Sequence, residues 1–258
     1  MHTDSITPTQ TDILLYLYRY RFLSTLHIQH LLNHSNSSRI STWLKDLTEK
    51  KMVNRTYKRT TENTHRPAVY SLGLKSRQYL RSNAHCIPKL LTRAYTDKKR
   101  SLDFQYHWLF IADLYFQFLK ATKEVGTTLE FYTTTDLEQF SYAPEPLPDG
   151  YVAISENGEI KRRYFIVVID KKTPFFASKR KIDTYIQYYQ ERHWQDHYAF
   201  TFPTFLVICP NTKLKNHLVS FISKELRREE VEMNFFLGIH KDIQVRGIQA
   251  DTWESVSD

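Results

Sequence analysis

The positions of this 258-residue sequence best suited to chemistry are Asp149, Asp170 and Lys172, in the stretch PDGYVAISENGEIKRRYFIVVIDKKT over 148–173. Phe165 to Ile169 is an unbroken apolar run that stops at Asp170, and Lys172 follows two positions later. Asp149 stands one strand and one turn earlier. Two carboxylates at adjoining strand ends can hold a divalent cation, and a lysine nearby can steady a scissile phosphate or the attacking water. The expected roles are Asp149 and Asp170 as ligands of Mg²⁺ or Mn²⁺, with Lys172 completing a catalytic set. The plainer reading has Asp149 making a turn beside Gly150 and Asp170 capping a strand exit, and it needs no cofactor.

The carboxylates can meet only if the apolar run is a central strand, greasy on both faces because helices cover it on both sides. Residues 103–258 supply such a frame. LDFQYHWLFIADLYFQFLKATKE reads as a long helix with an apolar stripe through Phe104, Trp108, Ile111, Tyr115 and Leu119. TTLEFYT, PDGYVAI, RRYFIVVID, TFLVICP and NFFLGIH read as strands. FASKRKIDTYIQYYQERHW and KLKNHLVSFISKELRRE read as helices between the later ones. This order predicts a sheet flanked by helices. Side chains alternate along a strand, so Val168, Asp170 and Lys172 share one face for as long as the backbone stays extended.

The charge is uneven. Residues 1–102 hold 18 Lys and Arg against 6 Asp and Glu, a net of +12, while the remainder holds 18 against 22, a net of −4. A basic half joined to a mildly acidic half suggests one module that meets a polyanion and another with a different task. Within 1–82, Thr7, Pro8 and Gln10 form a helix-start signature ahead of Ile13, Leu14, Leu17 and Tyr18. Ser24 caps a second helix whose Leu26, Ile28, Leu31 and Leu32 can face a core. A third helix sets Ile40, Trp43, Leu44 and Leu47 on one side, with Arg39, Ser41, Thr42, Lys45 and Asp46 on the other. MVNRTYKR and AVYSLG then read as two strands around a polar turn. The residues expected at DNA are Ser37, Ser38, Arg39, Thr42 and Lys45 in the major groove, and Arg55, Lys58, Arg59 and Arg66 on phosphates. Residues 83–102, with the basic cluster Lys98, Lys99 and Arg100, are expected to connect this part to 103–258.

Three helices and then a basic hairpin, the last helix and the hairpin falling in SRISTWLKDLTEKKMVNRTYKR…AVYSLG, resemble the winged helix-turn-helix family. Pro148-Asp149 followed by Asp170-x-Lys172 resembles the PD-(D/E)xK nuclease signature. The fold class expected is α/β (α+β): an N-terminal winged helix-turn-helix, then a PD-(D/E)xK-like mixed sheet flanked by helices. Taken whole, residues 8–210 resemble the replication-relaxation family of plasmids and mobile elements, through the winged-helix pattern, His107, Pro148-Asp149, the acid-ended strand with Thr173, and Lys181 and Tyr185. The chain departs from that family in having Val168 where a glutamate is common and Lys172 where a glycine is common. The resemblance implies double-stranded DNA as partner, and it leaves two functions open. One is a metal-dependent DNA endonuclease or relaxase. The other is a non-catalytic replication or transcription regulator whose second domain mediates dimerisation or partner binding. A homodimer and replication or conjugation proteins are further candidate partners.

Other chemistries find less support. His193 and His197 have ligand spacing if helical, but a surface helix end is the better account of them; Tyr185, Tyr188 and Tyr189 could include a nucleophile, but core packing is the favoured account of Tyr185 and Tyr189. The sequence has no phosphate-binding GxxxxGK[ST] loop. Cys86 and Cys209 form no CxxC pair, no apolar run approaches membrane-spanning length, and the N-terminus has no signal-peptide pattern, so a cytoplasmic location is expected.

Overall fold

The computed structural model describes residues 5–56, 67–198 and 201–256. Two compact units divide the chain, Met1–Asp113 and Leu114–Asp258. The division falls inside the long helix that the sequence places at the start of the second part.

The first unit opens with α1 (Pro8–Tyr20), β1 (Leu23–Ser24), α2 (Thr25–Leu31), α3 (Ser37–Glu49), β2 (Val53–Thr56) and β3 (Val69–Leu72). Its strands pair antiparallel in the order β1-β3-β2, the topology of a winged helix-turn-helix. The α1 start follows the sequence signature. The Gln10 amide donates to Thr7 Oγ1 at 3.3 Å, and the Thr7 amide donates to Gln10 Oε1 at 3.0 Å. Ile13, Leu14 and Leu17 of α1, Ile28 of α2, and Ile40, Leu44 and Leu47 of α3 are all fully buried. Each such side chain contributes about 1.5–3 kcal/mol relative to exposure.

The α2 reading needs correction. Leu26 is exposed and His27 is buried instead. The reason is local: Ser24 Oγ accepts from the His27 amide at 3.1 Å, and the His27 ring turns back to the cap, where Nδ1 accepts from the Ser24 amide. That leaves Nε2 carrying the proton, and it donates to Asp113 Oδ1 at 2.8 Å.

Gly73, at the turn out of β3, passes close to the backbone that leads into β2. A Cβ built there would lie 2.4 Å from the Lys51 carbonyl oxygen and under 3 Å from the backbone of Met52 and Val53. Backbone cannot yield as a side-chain tip can. Gly73→Ala is therefore expected to cost about 1–3 kcal/mol by overpacking, read from the first unfolding transition in urea. An unchanged transition would show that the turn relaxes freely.

Residues 83–102, expected to connect, are folded into the first unit. After α4 (Leu74–Leu80) come α5 (Pro88–Leu91) and α6 (Ala94–Asp97). The Ile87 amide donates to Tyr18 Oη at 2.8 Å, and Arg93 Nη2 donates to the Tyr18 carbonyl. Asp97 is 4% exposed and accepts two bonds from Arg21, at 2.5 and 3.2 Å. Lys98, Lys99 and Arg100 are exposed. Helix α7 (Leu102–Glu124) follows, with the rings of Phe104 and Trp108 against the Arg21 guanidinium at 4.7 and 4.8 Å.

In the second unit β4 (Thr128–Thr133), α8 (Thr134–Leu137), β5 (Gly150–Glu156), β6 (Glu159–Val168), α9 (Phe175–Gln190), α10 (His193–His197), β7 (Thr204–Cys209), α11 (Thr212–Glu229), β8 (Phe235–Ile239), α12 (His240–Arg246), a 3-10 turn (Ala250–Thr252) and β9 (Trp253–Val256) follow. The six strands lie in the order β4-β5-β6-β7-β8-β9. β6, β7 and β8 run parallel and the outer pairings are antiparallel. β5 and β6 form a hairpin through Asn157 and Gly158, both at positive φ, the conformation a two-residue hairpin loop requires. As the sequence predicts, Phe165 to Ile169 is buried throughout. Phe165, Val167 and Ile169 join the core under α9 and α11, which includes Ile182, Tyr185 and Leu218. On the opposite face Tyr164 meets Phe118 of α7, with ring centroids 6.3 Å apart.

Both cysteines are buried and free. Burial pushes the Cys86 thiol to about 11 and the Cys209 thiol to about 12, so neither is a thiolate near neutral pH. Among the described residues no helix is long and apolar enough to cross a membrane.

Candidate functional site

The first unit offers one polar helix face. Asn36 Oδ1 accepts from the Arg39 amide at 3.0 Å and so starts α3 at Ser37. With Ile40, Leu44 and Leu47 turned inward, Ser37, Ser38, Arg39, Ser41, Thr42 and Lys45 are all exposed. Thr42 Oγ1 donates to the Ser38 carbonyl at 3.0 Å, which orients its hydroxyl along the helix. Trp43, expected inside, is only half-buried. Its ring packs on His34 at 5.2 Å, and the Arg39 guanidinium lies 6.0 Å from it. Asp46, expected on the outward face, instead receives Gln10 Nε2 at 2.5 Å and Lys50 Nζ at 2.8 Å and ties α3 to α1. Arg55 is exposed on β2. Lys58, Arg59 and Arg66 lie outside the described residues.

In the second unit Asp149 and Asp170 both come to the C-terminal end of β6. The antiparallel register sets Gly150 opposite Ile166, so Asp149 continues alongside Val167 and Val168. Its amide donates to the Ile166 carbonyl at 2.8 Å, and its Oδ2 accepts from the Val168 amide at 2.7 Å. Asp149 alternates with Tyr151 and therefore faces the α9 layer. There Lys181 Nζ approaches Oδ2 to 3.6 Å. Lys181 is one helical turn from Tyr185, whose fully buried hydroxyl has no hydrogen-bond partner among the described residues. Burial pushes the Tyr185 phenol well above its ordinary value, and the Asp149 charge adds to that.

Asp170 and Lys172 are exposed, beyond the last residue of β6. The strand ends at Val168, and the Thr173 amide closes a turn onto the Asp170 carbonyl at 2.9 Å. That turn ends the extended geometry, so strand alternation does not carry Lys172 to the face of Val168. The fold also sets Lys181 against Asp149, a lysine that the family resemblance marks without assigning it a role.

The donor chemistry decides what cation this strand end suits. No group of three or more His, Cys, Asp or Glu that could hold a metal occurs among the described residues. Two aspartates, one already hydrogen-bonded to an amide, do not make a protein-only cage. Mg²⁺ and Mn²⁺ are bound in another mode, in which one or two carboxylates share the ion with water and substrate phosphate. The partnerless Tyr185 hydroxyl beside Asp149 is the kind of polar atom that a water in such a shell would satisfy.

The remaining candidates are structural in their surroundings. Tyr188 is buried and donates its hydroxyl to the Tyr142 carbonyl. His197 stacks on Tyr142 at 3.9 Å, while His193 Nε2 lies 3.3 Å from Glu191. His107 is half-buried with its ring 5.8 Å from Trp108.

The replication-relaxation family model matches residues 14–203. The comparison with curated proteins gives no match. Among solved structures, a variant of Lactococcus lactis ZitR is 23% identical over 49% of this chain and 80% of its own, with a TM-score of 0.27. The restriction endonuclease FokI is 13% identical over 95% of this chain, which spans 45% of the FokI chain, with a TM-score of 0.34.

Proposed function

The chain belongs to the replication-relaxation family, and from that premise we propose that it is a DNA-binding protein of plasmid or mobile-element replication or mobilisation. The observation that carries this reading is the outward face of α3, where Ser37, Ser38, Arg39, Thr42 and Lys45 are exposed together on a rigidly packed helix. A helix of this kind enters the major groove, and its side chains reach base edges. Arg55, with Lys58, Arg59 and Arg66, neutralises phosphates.

Duplex affinity measured against salt tests it. Arg39→Ala and Lys45→Ala are each expected to weaken binding to a preferred site by about 1–3 kcal/mol where they read a base. Arg55→Ala is expected to weaken binding to all sequences and to flatten the slope of log affinity against log salt by about 0.9. Duplex binding that ignores both salt and these substitutions would sink the reading.

A second reading, favoured by two aspartates at one strand end, is that the second unit nicks DNA at Asp149 and Asp170. A divalent cation bound there supplies Lewis-acid activation of the phosphate and a more acidic water. The chain's own part is to hold Asp149 through the Val168 amide and Lys181, to present Asp170 to solvent, and to offer Lys172 to the scissile phosphate or the attacking water. Conversion of supercoiled plasmid to open circle in Mg²⁺ or Mn²⁺ is the readout. Its absence, with tight duplex binding, leaves a non-catalytic regulator whose second unit serves dimerisation or partner contacts.

A further inference from the structure

Away from the strand-end aspartates, the outer strands of the second unit build a pocket of their own. The register sets Glu130 opposite Ala153 and Ala153 opposite Arg163. A carboxylate-bearing position on β4 and a guanidinium-bearing one on β6 therefore share a face two interstrand spacings apart, roughly 9.5 Å. The next row on the same face is Tyr132, Tyr151 and Phe165. Phe140, Tyr142, Trp194 and Tyr198 close the sides, leaving a cavity of about 230 Å³. Its walls support one another: ring centroids lie 5.8 Å apart for Tyr132 and Tyr151, 5.4 Å for Tyr151 and Trp194, and 4.7 Å for Trp194 and Tyr198. Arg163 is buried, whereas Glu130 is exposed and accepts from Tyr132 Oη at 3.2 Å.

Flat aromatic walls with a donor on one side and an acceptor on the other select a planar ligand with polar edges. A quaternary ammonium, the common guest of aromatic cages, is opposed by the buried guanidinium of Arg163. The volume falls below the roughly 300–1,000 Å³ of sites that take a whole small molecule, so one ring system fits. Aromatic faces stack any nucleobase, an arginine donates to a base acceptor edge, and a carboxylate accepts from a base amino group.

We propose that this pocket, formed by Glu130, Tyr132, Tyr142, Tyr151, Arg163 and Trp194, binds a nucleobase that is out of the duplex stack. The proposal deepens the DNA reading above and rests on it. A base inside a duplex cannot enter such a pocket; an unpaired or single-stranded one can. Asp149 and Tyr151 lie on one face two residues apart, about 7 Å along the strand.

The test is binding of the full-length chain to a fluorescent single-stranded oligonucleotide, to the same oligonucleotide with abasic sites, and to a free deoxynucleoside monophosphate as competitor. The abasic strand is expected to bind about 5- to 150-fold more weakly, the range of one stacked base. Tyr132→Leu and Glu130→Ala, at half-buried and exposed positions, are expected to lose a comparable factor for the normal strand and little for the abasic one. Competition by the monophosphate identifies free nucleotide as a source of the base; no competition identifies the strand; either upholds the pocket. Equal binding of normal and abasic strands, or variants that bind as wild type, overturns it. If that happens while duplex binding through α3 persists, only the pocket falls. If duplex binding is absent as well, the DNA reading falls with it.

Discussion

Asp170→Ala is expected to lower divalent-dependent nicking of supercoiled plasmid by more than about 100-fold, since loss of a group that merely orients a metal ligand already costs 10–100-fold. The variant is informative because Asp170 is exposed beyond the end of β6. Exposed substitutions usually change stability by only about 0.5 kcal/mol, and an unchanged urea transition of the second unit separates lost nicking from lost fold. Duplex binding, proposed for α3, is expected to stay at the wild-type level. Asp149 calls for a gentler change, because its carboxylate is 13% exposed, accepts from the Val168 amide and lies 3.6 Å from Lys181. Asp149→Asn retains an acceptor for the amide while removing the charge, and the same loss of nicking is expected. Nicking by Asp170→Ala at the wild-type rate would eliminate cleavage at this strand end.

Asp97→Ala is expected to destabilise the first unit by about 3–5 kcal/mol, the usual consequence of leaving one member of a buried ion pair alone. The Arg21 side chain is 11% exposed and that of Asp97 6%. Without the carboxylate, the guanidinium loses two charge-assisted hydrogen bonds. The rings of Phe104 and Trp108 still face it, yet a cation–π contact contributes only about 0.5–2 kcal/mol. Two-unit chains need not unfold in one step, so the readout is the urea transition of the first unit, with the second as internal reference. Arg21→Met combined with Asp97→Ala should recover much of the loss, because the orphaned charge is gone. A single-variant cost under about 1 kcal/mol would mean that water reaches the guanidinium.

Local features of the fold were legible because their causes act within a few residues. Thr7, Pro8 and Gln10 start α1 through contacts three positions apart. Asn157 and Gly158 turn the hairpin, and the apolar run 165–169 becomes a strand covered on both faces. The inward and outward residues of α3 follow from helical spacing, with Trp43 and Asp46 as the exceptions. Both are drawn aside by partners that helical spacing cannot see: His34 across the preceding turn and Gln10 on another helix. His27 displaced Leu26 from the core for a related reason, since its ring completes the Ser24 cap and also reaches Asp113.

Which residue types could do chemistry, and that Asp149 and Asp170 would arrive at one end of a central strand, could be read from the amino acids in order. Hydrophobic period and turn chemistry are properties of neighbours along the chain. The partner of each charged group needed the folded molecule. Lys181 comes to Asp149, Arg21 finds Asp97 across 76 positions, and Glu130 and Arg163 flank Ala153 across three strands. Those pairings depend on strand register and on how helices dock, and both follow from burying apolar surface across the whole unit, a non-directional force that no short stretch encodes.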